Sequence, residues 1–170
     1  RSGVPKPIPE LTSEQVLQEN CAGQNHICVL AALPHILDSG AEGRKAYQET
    51  LAKVARSFRG SAFSFLWFEG TSQPDLEQVL DLTFGFPAVA AFSMDKEAFV
   101  VMRTSYNEKN VASFLHGVTS GRQPTAKVSA MPKVVTTVPW DGNDAAPIEE
   151  EIPLCEIMGN CDEEAGNGEL

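Results

Sequence analysis

Cysteine is the residue type with the widest chemistry in this chain, and its four copies form two pairs: Cys21, Cys28, Cys155 and Cys161. The spacings, C-x6-C and C-x5-C, match neither the C-x-x-C of a redox site nor a common zinc site. The loop of residues 21–28 is short enough for a disulfide, with buried free thiols and a redox-active pair as alternatives. Carboxylates around the second pair disfavour the thiolates, so a labile disulfide and an exposed pair without function are both open.

The histidines predict neither a metal site nor a hydrolase. His26, His35 and His116 have no metal-ligand spacing with one another or with a cysteine. Serine, histidine and aspartate are all present, but no G-x-S-x-G motif exposes a serine nucleophile. His35 follows a strand-like segment, where it could take the place of a catalytic base. The simpler interpretation is a turn residue that hydrogen-bonds the backbone.

Carboxylates are concentrated at the end of the chain. Residues 1–140 contain 13 acidic and 13 basic side chains, whereas residues 141–170 contain 10 acidic side chains and no lysine or arginine. A neutral body with an acidic tail excludes nucleic acid as a partner, and self-repulsion predicts a disordered tail. Two runs supply oxygen ligands suited to weak calcium binding: Glu149, Glu150, Glu151, Asp162, Glu163 and Glu164. No EF-hand loop accompanies them, so a tail that only solubilises the protein is the alternative, and no other cofactor is expected.

The elements that must position these residues follow from hydrophobic periodicity. Apolar runs predict strands at 27–33, 62–68, 88–92 and 98–102, the last two as a hairpin. Helical spacing predicts helices at about 13–20 and 43–58. Two further helices are predicted from the apolar faces Leu76, Val79, Leu80 and Val111, Phe114, Leu115, Val118. The expected N-caps of the first, third and fourth helices are Thr12, Ser72 and Ser105. The order, βαβα followed by ββα, indicates an α/β domain with a mixed sheet between helical layers. The longest apolar run, Ile27–Leu33, is too short to span a membrane.

Composition divides the chain into four parts. Alternate prolines predict a linker at residues 1–9, with a short edge strand at Ile8–Leu11 where the domain begins. Residues 10–121 contain all the segments with clear helical or strand periodicity, and they are expected to form the folded domain. Residues 122–140 read as an extended linker whose single strand-like stretch is Val134–Thr136, and residues 141–170 form the acidic tail.

This order of elements resembles thioredoxin. Phe86-Pro87 precedes the hairpin where thioredoxins carry a cis-proline beside the active site, which implies a cis bond at Pro87. Ile27–Leu33 resembles the strand that leads into the thioredoxin C-x-x-C, and the helix after it is expected to begin near Gly40 and Gly43. The resemblance therefore implies glycines in place of both cysteines, and Leu30 in place of a buried acid.

Two further motifs resemble one type of protein disulfide isomerase, which has two catalytic thioredoxin domains, then a redox-inactive one, then an acidic tail. The motifs are Leu33–Gly40 and Pro139-Trp140-Asp141-Gly142. The resemblance implies an endoplasmic reticulum protein that forms and rearranges disulfides and acts as a chaperone. Its partners would be unfolded secretory proteins, upstream catalytic domains and the retrieval receptor. A degenerate retrieval signal would end the chain: Asn167, Gly168, Glu169 and Leu170.

Within such a protein, we expect this domain to be non-catalytic and to bind or position unfolded substrate. The expected contacts are His35, Phe84 and Phe86 around the former active-site face, although both phenylalanines could instead belong to the core. One alternative is a residual thiol oxidoreductase that uses either cysteine pair. A second alternative is a calcium-binding chaperone in which the tail matters most.

Overall fold

The computed structural model describes residues 7–145, which fold into four helices and five strands. The strands are β1 Ile27–Leu33, β2 Phe63–Glu69, β3 Ala88–Ser93, β4 Ala98–Val101 and β5 Ala126–Lys127. The helices are α1 Glu14–Cys21, α2 Ile36–Ser57, α3 Pro74–Val79 and α4 Glu108–Ser120. Among the described residues, no helix is long and apolar enough to cross a membrane.

The five strands form one mixed sheet in the order β2-β1-β3-β4-β5. β1 pairs parallel with β2 and antiparallel with β3, and the remaining pairs are antiparallel. The edge strand expected at Ile8–Leu11 is reduced to one parallel bridge between Glu10 and Trp67. The predicted mixed sheet between helical layers is confirmed.

Each face of β1 packs into a separate hydrophobic cluster, as expected for a continuously apolar central strand. Leu30 and Ala32 belong to one cluster, which also contains residues of α1 and α3. Val29 and Ala31 belong to the other, which contains residues of α2 and α4. The helices therefore cover both faces of the sheet and bury β1 between them.

The predicted N-caps are each displaced by one or two residues. The observed N-caps of α1, α3 and α4 are Ser13, Gln73 and Asn107, in place of Thr12, Ser72 and Ser105. Ser13 accepts the Val16 N–H and Asn107 accepts the Asn110 N–H, bonds that fix where those two helices begin. Gln73 makes no such bond to its own helix, because its amide binds a distant segment instead.

The start of α2 also differs from the prediction. The helix begins at Ile36 instead of near Gly40 and Gly43, and His35 is its N-cap. Gly40 interrupts the helix with φ 70° and ψ 170°. Only the part after this kink has amphipathic periodicity, which explains why the sequence pattern predicted a helix over 43–58 alone.

Residues 122–140, predicted as a linker, pack against the domain. β5 adds a fifth strand beside β4, although the strand-like stretch was placed at Val134–Thr136. We define residues 133–144 as the C-terminal strap. Gln73 is fully buried, and its side-chain amide donates to the Val135 carbonyl and accepts the Val135 N–H, at 2.8 and 2.9 Å. The Thr137 N–H donates to the Thr12 carbonyl at 2.9 Å, so the strap also contacts the segment before α1.

Candidate functional site

The carboxyl ends of β1 and β2 meet beside the start of α2, where the resemblance places the thioredoxin active site. The Gly70 N–H, just after β2, donates to the Leu33 carbonyl at 2.7 Å. The Phe86–Pro87 peptide bond is cis. The Phe86 ring lies against Gly70, where an added Cβ would come within 2.6 Å of it. The cis-proline and the first turn of α2 therefore lie at one end of the sheet.

The first turn of α2 contains no sulfur. It is formed by Ile36, Leu37, Asp38 and Ser39. The helix start expected near Gly40 and Gly43 is wrong, because α2 already begins at Ile36. Gly40 lies at the kink and Gly43 within the helix beyond it. Leu30, the residue that the resemblance puts in place of a buried acid, is fully buried in the middle of β1.

His35 closes the amino end of α2 and shows no sign of activating a nucleophile. Its Nδ1 accepts the Leu37 N–H at 3.1 Å, and its Nε2 lies 3.9 Å from a Glu69 carboxylate oxygen. The nearby Ser39 hydroxyl donates to the Gly40 carbonyl. His35 therefore hydrogen-bonds the backbone, in agreement with the simpler interpretation from the sequence.

A buried arginine beside this turn was not predicted from the sequence. Arg44 Nη2 donates to the Pro34 carbonyl at 2.9 Å and to Glu69 at 2.8 Å. Its guanidinium carbon lies 5.2 Å from the Trp67 ring centroid and 5.1 Å from that of Trp140. Its Nε is buried and has no hydrogen-bond partner within residues 7–145. Helical spacing could have indicated this burial. Arg44 precedes the inward-facing Tyr47 by three residues, which places both on the same face of α2.

Glu69 connects this arginine to the helix start. It accepts the Ile36 N–H at 2.9 Å as well as the Arg44 bond. Burial alone would raise the pKa of Glu69. The hydrogen bonds from Arg44 and Ile36, with the charges of Arg44 and His35, outweigh burial and hold that pKa below its usual value. Glu69 is thus a carboxylate that stabilises the first turn of α2.

The strap covers Arg44 and its neighbours on the solvent side. The Trp140 N–H donates to Glu10 at 2.9 Å, and the Trp140 ring packs edge-on against Trp67. Burial raises the pKa of Glu10, although the Trp140 bond and the Arg44 charge oppose it. Asp144 accepts the Ala41 N–H at 2.6 Å, just after the kink in α2. Trp140 of the Pro139–Gly142 motif therefore covers Arg44, and Asp144 fixes the strap to α2.

Exposed apolar side chains remain on the same end of the domain. Leu37 in the first turn of α2 is 67% exposed, and Phe84 in the loop before Pro87 is 55% exposed. Phe84 also lies under Arg103, whose guanidinium carbon is 5.4 Å from the ring centroid. Phe86, in contrast, is half-buried and packs against the core. Of the two phenylalanines, only Phe84 presents a surface to a ligand.

The cysteines of the described part are joined in a disulfide between Cys21 and Cys28. Both residues are buried, at 1% and 0% exposure, and their Cα atoms lie 5.2 Å apart. The bridge ties the end of α1 to β1. Three predicted features lie outside the described residues: the pair Cys155 and Cys161, the carboxylates proposed for calcium and the retrieval residues 167–170. The described residues contain no group of three or more acidic, histidine or cysteine side chains that could hold a metal ion.

The sequence matches a family model described as PDIA6-like, C-terminal thioredoxin-like domain, over residues 2–123. The chain is 37% identical to human protein disulfide-isomerase A6 over 157 residues, which are 90% of this chain and 36% of that protein. It is 34% identical to Arabidopsis thaliana protein disulfide-isomerase 2-3, over 99% of this chain and 39% of that protein. The chain thus spans little more than a third of the length of these relatives.

Among solved structures, the bb fragment of ERp72 superposes with a TM-score of 0.50. The match covers 66% of this chain and 49% of that fragment at 13% sequence identity, which establishes a shared thioredoxin-like fold alone. The family match covers most of the chain, and the element order, the cis-proline and the mixed sheet agree with it. The chain therefore belongs to the family of PDIA6-like C-terminal thioredoxin-like domains.

Proposed function

We propose that this domain is a non-catalytic part of a protein disulfide isomerase that assists protein folding. The observation that carries the proposal is the first turn of α2, Ile36–Ser39, which supplies no thiol opposite the cis-proline. Thiol–disulfide exchange requires an accessible thiolate. The disulfide between Cys21 and Cys28 is buried and offers no such sulfur to a substrate.

We further propose that this end of the domain binds unfolded polypeptide. Leu37 and Phe84 expose apolar surface on the two segments that flank the replaced active site. His35, with its side chain 45% exposed, adds a polar group 3.9 Å from the Glu69 carboxylate. An extended peptide could bury its own apolar side chains here without any covalent step. The apolar area is small, so the interaction would be weak and would hold substrate near catalytic domains.

Insulin reduction in the presence of a thiol reductant tests the absence of catalysis. We expect the full chain to give the rate of the reductant alone, and Cys28→Ser to give the same rate. A rate above background that Cys28→Ser removes would establish residual oxidoreductase activity at that disulfide. A rate that survives Cys28→Ser but disappears in Cys155→Ser would assign it to the second cysteine pair.

Binding of a fluorescently labelled unfolded peptide tests the apolar surface. We expect Phe84→Ala and Leu37→Ala each to weaken binding about three- to tenfold, which corresponds to about 1 kcal/mol of lost apolar contact. Val138→Ala is the matched control, because Val138 is 87% exposed and lies on the strap. Equal binding by all three variants would contradict the assignment of the surface.

The location and partners follow from the same proposal. The relatives are about three times as long as the matched region, so we propose that catalytic domains precede this one. The intact protein would reside in the endoplasmic reticulum lumen, returned by a receptor that reads residues 167–170. Replacing Glu169 and Leu170 by alanine should increase secretion of the intact protein from cells, and unchanged secretion would contradict a retrieval role.

A further inference from the structure

β2 forms one edge of the sheet, and the segment before α1 covers part of that edge. On the inner side of the strand, the Ala62 carbonyl and the Gly70 N–H bond to β1, so the backbone groups of the odd-numbered residues point outward. Trp67 shows this arrangement. Its N–H donates to the Pro9 carbonyl at 3.2 Å, and its carbonyl accepts the Leu11 N–H at 2.8 Å. The outer edge of β2 is therefore paired at Trp67.

Two prolines prevent this pairing from continuing toward the amino end of β2. The register set at Trp67 would bring the Pro9 nitrogen to the Phe65 carbonyl and the Pro7 nitrogen to the Phe63 carbonyl. Proline has no N–H to donate. Among residues 7–145, no group hydrogen-bonds the Phe65 N–H or the carbonyls of Phe63 and Phe65. This part of the edge therefore presents one donor and two acceptors to an added chain.

A groove lies along the same part of the edge. Its volume is about 660 Å³, within the range of about 300–1,000 Å³ that is typical of ligand sites. The segment before α1, the end of α2 and β2 supply its apolar lining: Ile8, Pro9, Ala55, Phe58, Phe63 and Phe65. Backbone groups without partners thus lie beside apolar side chains, the combination that an added extended peptide recognises.

The size of this open edge indicates what kind of partner it fits. A stable interface between two proteins buries about 1,600 Å² and engages about 20–30 residues on each side. The open part of the edge, Phe63 and Phe65, and its groove are much smaller, so pairing of two copies of the domain is disfavoured. A short extended peptide needs only a few backbone bonds and pockets for alternate side chains.

We propose that a short extended segment of unfolded polypeptide adds to β2 at Phe63 and Phe65 and places an apolar side chain in the groove. The N–H groups of the peptide supply the donors that the two prolines lack, and one of its carbonyls accepts the Phe65 N–H. The site depends on the proposed binding of unfolded polypeptide, to which it adds a second contact toward the other end of the sheet from Leu37 and Phe84. Because backbone groups make the bonds, the contact is tolerant of peptide sequence.

Amide chemical shifts of the isotope-labelled full chain test this site. The probe is a short peptide of alternating valine and threonine with lysines at both ends. We expect it to shift the amides of Phe63 and Phe65 progressively, whereas the Trp67 amide is already bonded and should shift less. Shifts at Leu37 and Phe84 report the apolar surface separately. Shifts confined to Leu37 and Phe84 would overturn the β2 site alone, and shifts at neither place would contradict peptide binding by the domain as well.

A peptide methylated on its central backbone nitrogens is the matched probe. It keeps every side chain but loses its N–H donors, so we expect the affinity reported by the Phe63 and Phe65 amides to fall about tenfold or more. Shifts at Leu37 and Phe84 should persist, because those contacts are apolar. Equal affinities of the two peptides at the Phe65 amide would overturn pairing with the backbone.

A substitution in the groove supplies the second arm. Ala55 is half-buried and lines the groove, so Ala55→Gln should lower the affinity reported by the Phe65 amide about fivefold or more. Ala46→Gln, exposed on the same helix, is the control and should change it less than about twofold. Equal affinities of the two variants would overturn the groove as the site. Shifts of the Phe65 amide that depend on protein concentration, without peptide, would identify a second copy as the occupant and would also overturn the proposal.

Discussion

At the scale of single residues, Arg44 organises the end of the domain where a thioredoxin would do chemistry. It is 2% exposed, and it joins the end of β1 through Pro34, the end of β2 through Glu69 and the strap through Trp140. A buried charge is costly unless it is paired and hydrogen-bonded. The Glu69 bond and the two indole faces offset this cost. The polar side chains at this end of the domain therefore stabilise the fold.

Replacing Arg44 should therefore destabilise the domain. We expect Arg44→Ala to lower the free energy of unfolding by about 2–4 kcal/mol, because Glu69 loses its partner and both tryptophans lose their packing. Urea denaturation followed by tryptophan fluorescence measures the change. Arg103→Ala is the control, since its ion pair with Asp81 is exposed and its loss should cost less than about 1 kcal/mol. Equal losses in the two variants would contradict the role given to Arg44.

The lowered pKa of Glu69 predicts a dependence of stability on pH. A carboxyl whose folded pKa lies below its unfolded value stabilises the folded state above the unfolded pKa, and this contribution is lost as the pH falls through the folded pKa. The difference in unfolding free energy between wild type and Glu69→Gln should thus be largest near pH 7 and shrink below about pH 4. A difference independent of pH, measured by urea titration at several pH values, would contradict this origin.

At the scale of elements, periodicity predicted the interior of each helix and strand better than its ends. All four predicted strands are present within one or two residues, because their apolar runs face clusters on both sides of the sheet. The helix ends depend on single polar bonds. The choice between Thr12 and Ser13 is decided by a hydrogen bond to Val16 that periodicity does not encode.

The candidate site was less predictable than the fold for a related reason. Pro87 could be located from the Phe86-Pro87 motif, and the absence of a C-x-x-C is visible in the sequence. The start of α2 was predicted too late because Gly40 breaks the periodicity of the helix, so its first turn resembles a loop in the sequence. The strap was missed because it is held by backbone bonds to Gln73 and Glu10 and has almost no regular structure.

The strap should behave as part of the domain. Trp140→Ala should lower the free energy of unfolding by about 2–3 kcal/mol, because it removes a large half-buried ring and uncovers Arg44. Hydrogen exchange should also accelerate at the Val135 and Ala41 amides, because the hydrogen bond of each joins the strap to the rest of the domain. Val138→Ala, at 87% exposure, is the control for both measurements. Unchanged exchange in Trp140→Ala would mean that the strap is held without this ring.

At the scale of the whole molecule, the chain combines a charge-neutral folded domain with a strongly acidic end. Two hydrophobic clusters and a buried disulfide hold the domain together. The carboxylates of residues 149–164 have no counter-charge next to them in sequence. They can be neutralised by divalent cations or by dissolved salt, which compete for the same groups.

Calcium binding by the tail is the last prediction. Clustered carboxylates without a defined loop should bind Ca²⁺ weakly, with a Kd of about 10⁻⁴–10⁻³ M, and calorimetry on the full chain should detect several weak sites. Replacing Glu149, Glu150 and Glu151 by glutamine should remove a large part of the heat. Replacing Glu14, Glu42 and Glu49, three exposed carboxylates of the folded domain, is the control with the same change in net charge. No heat from the full chain, or equal loss in both variants, would contradict binding by the tail.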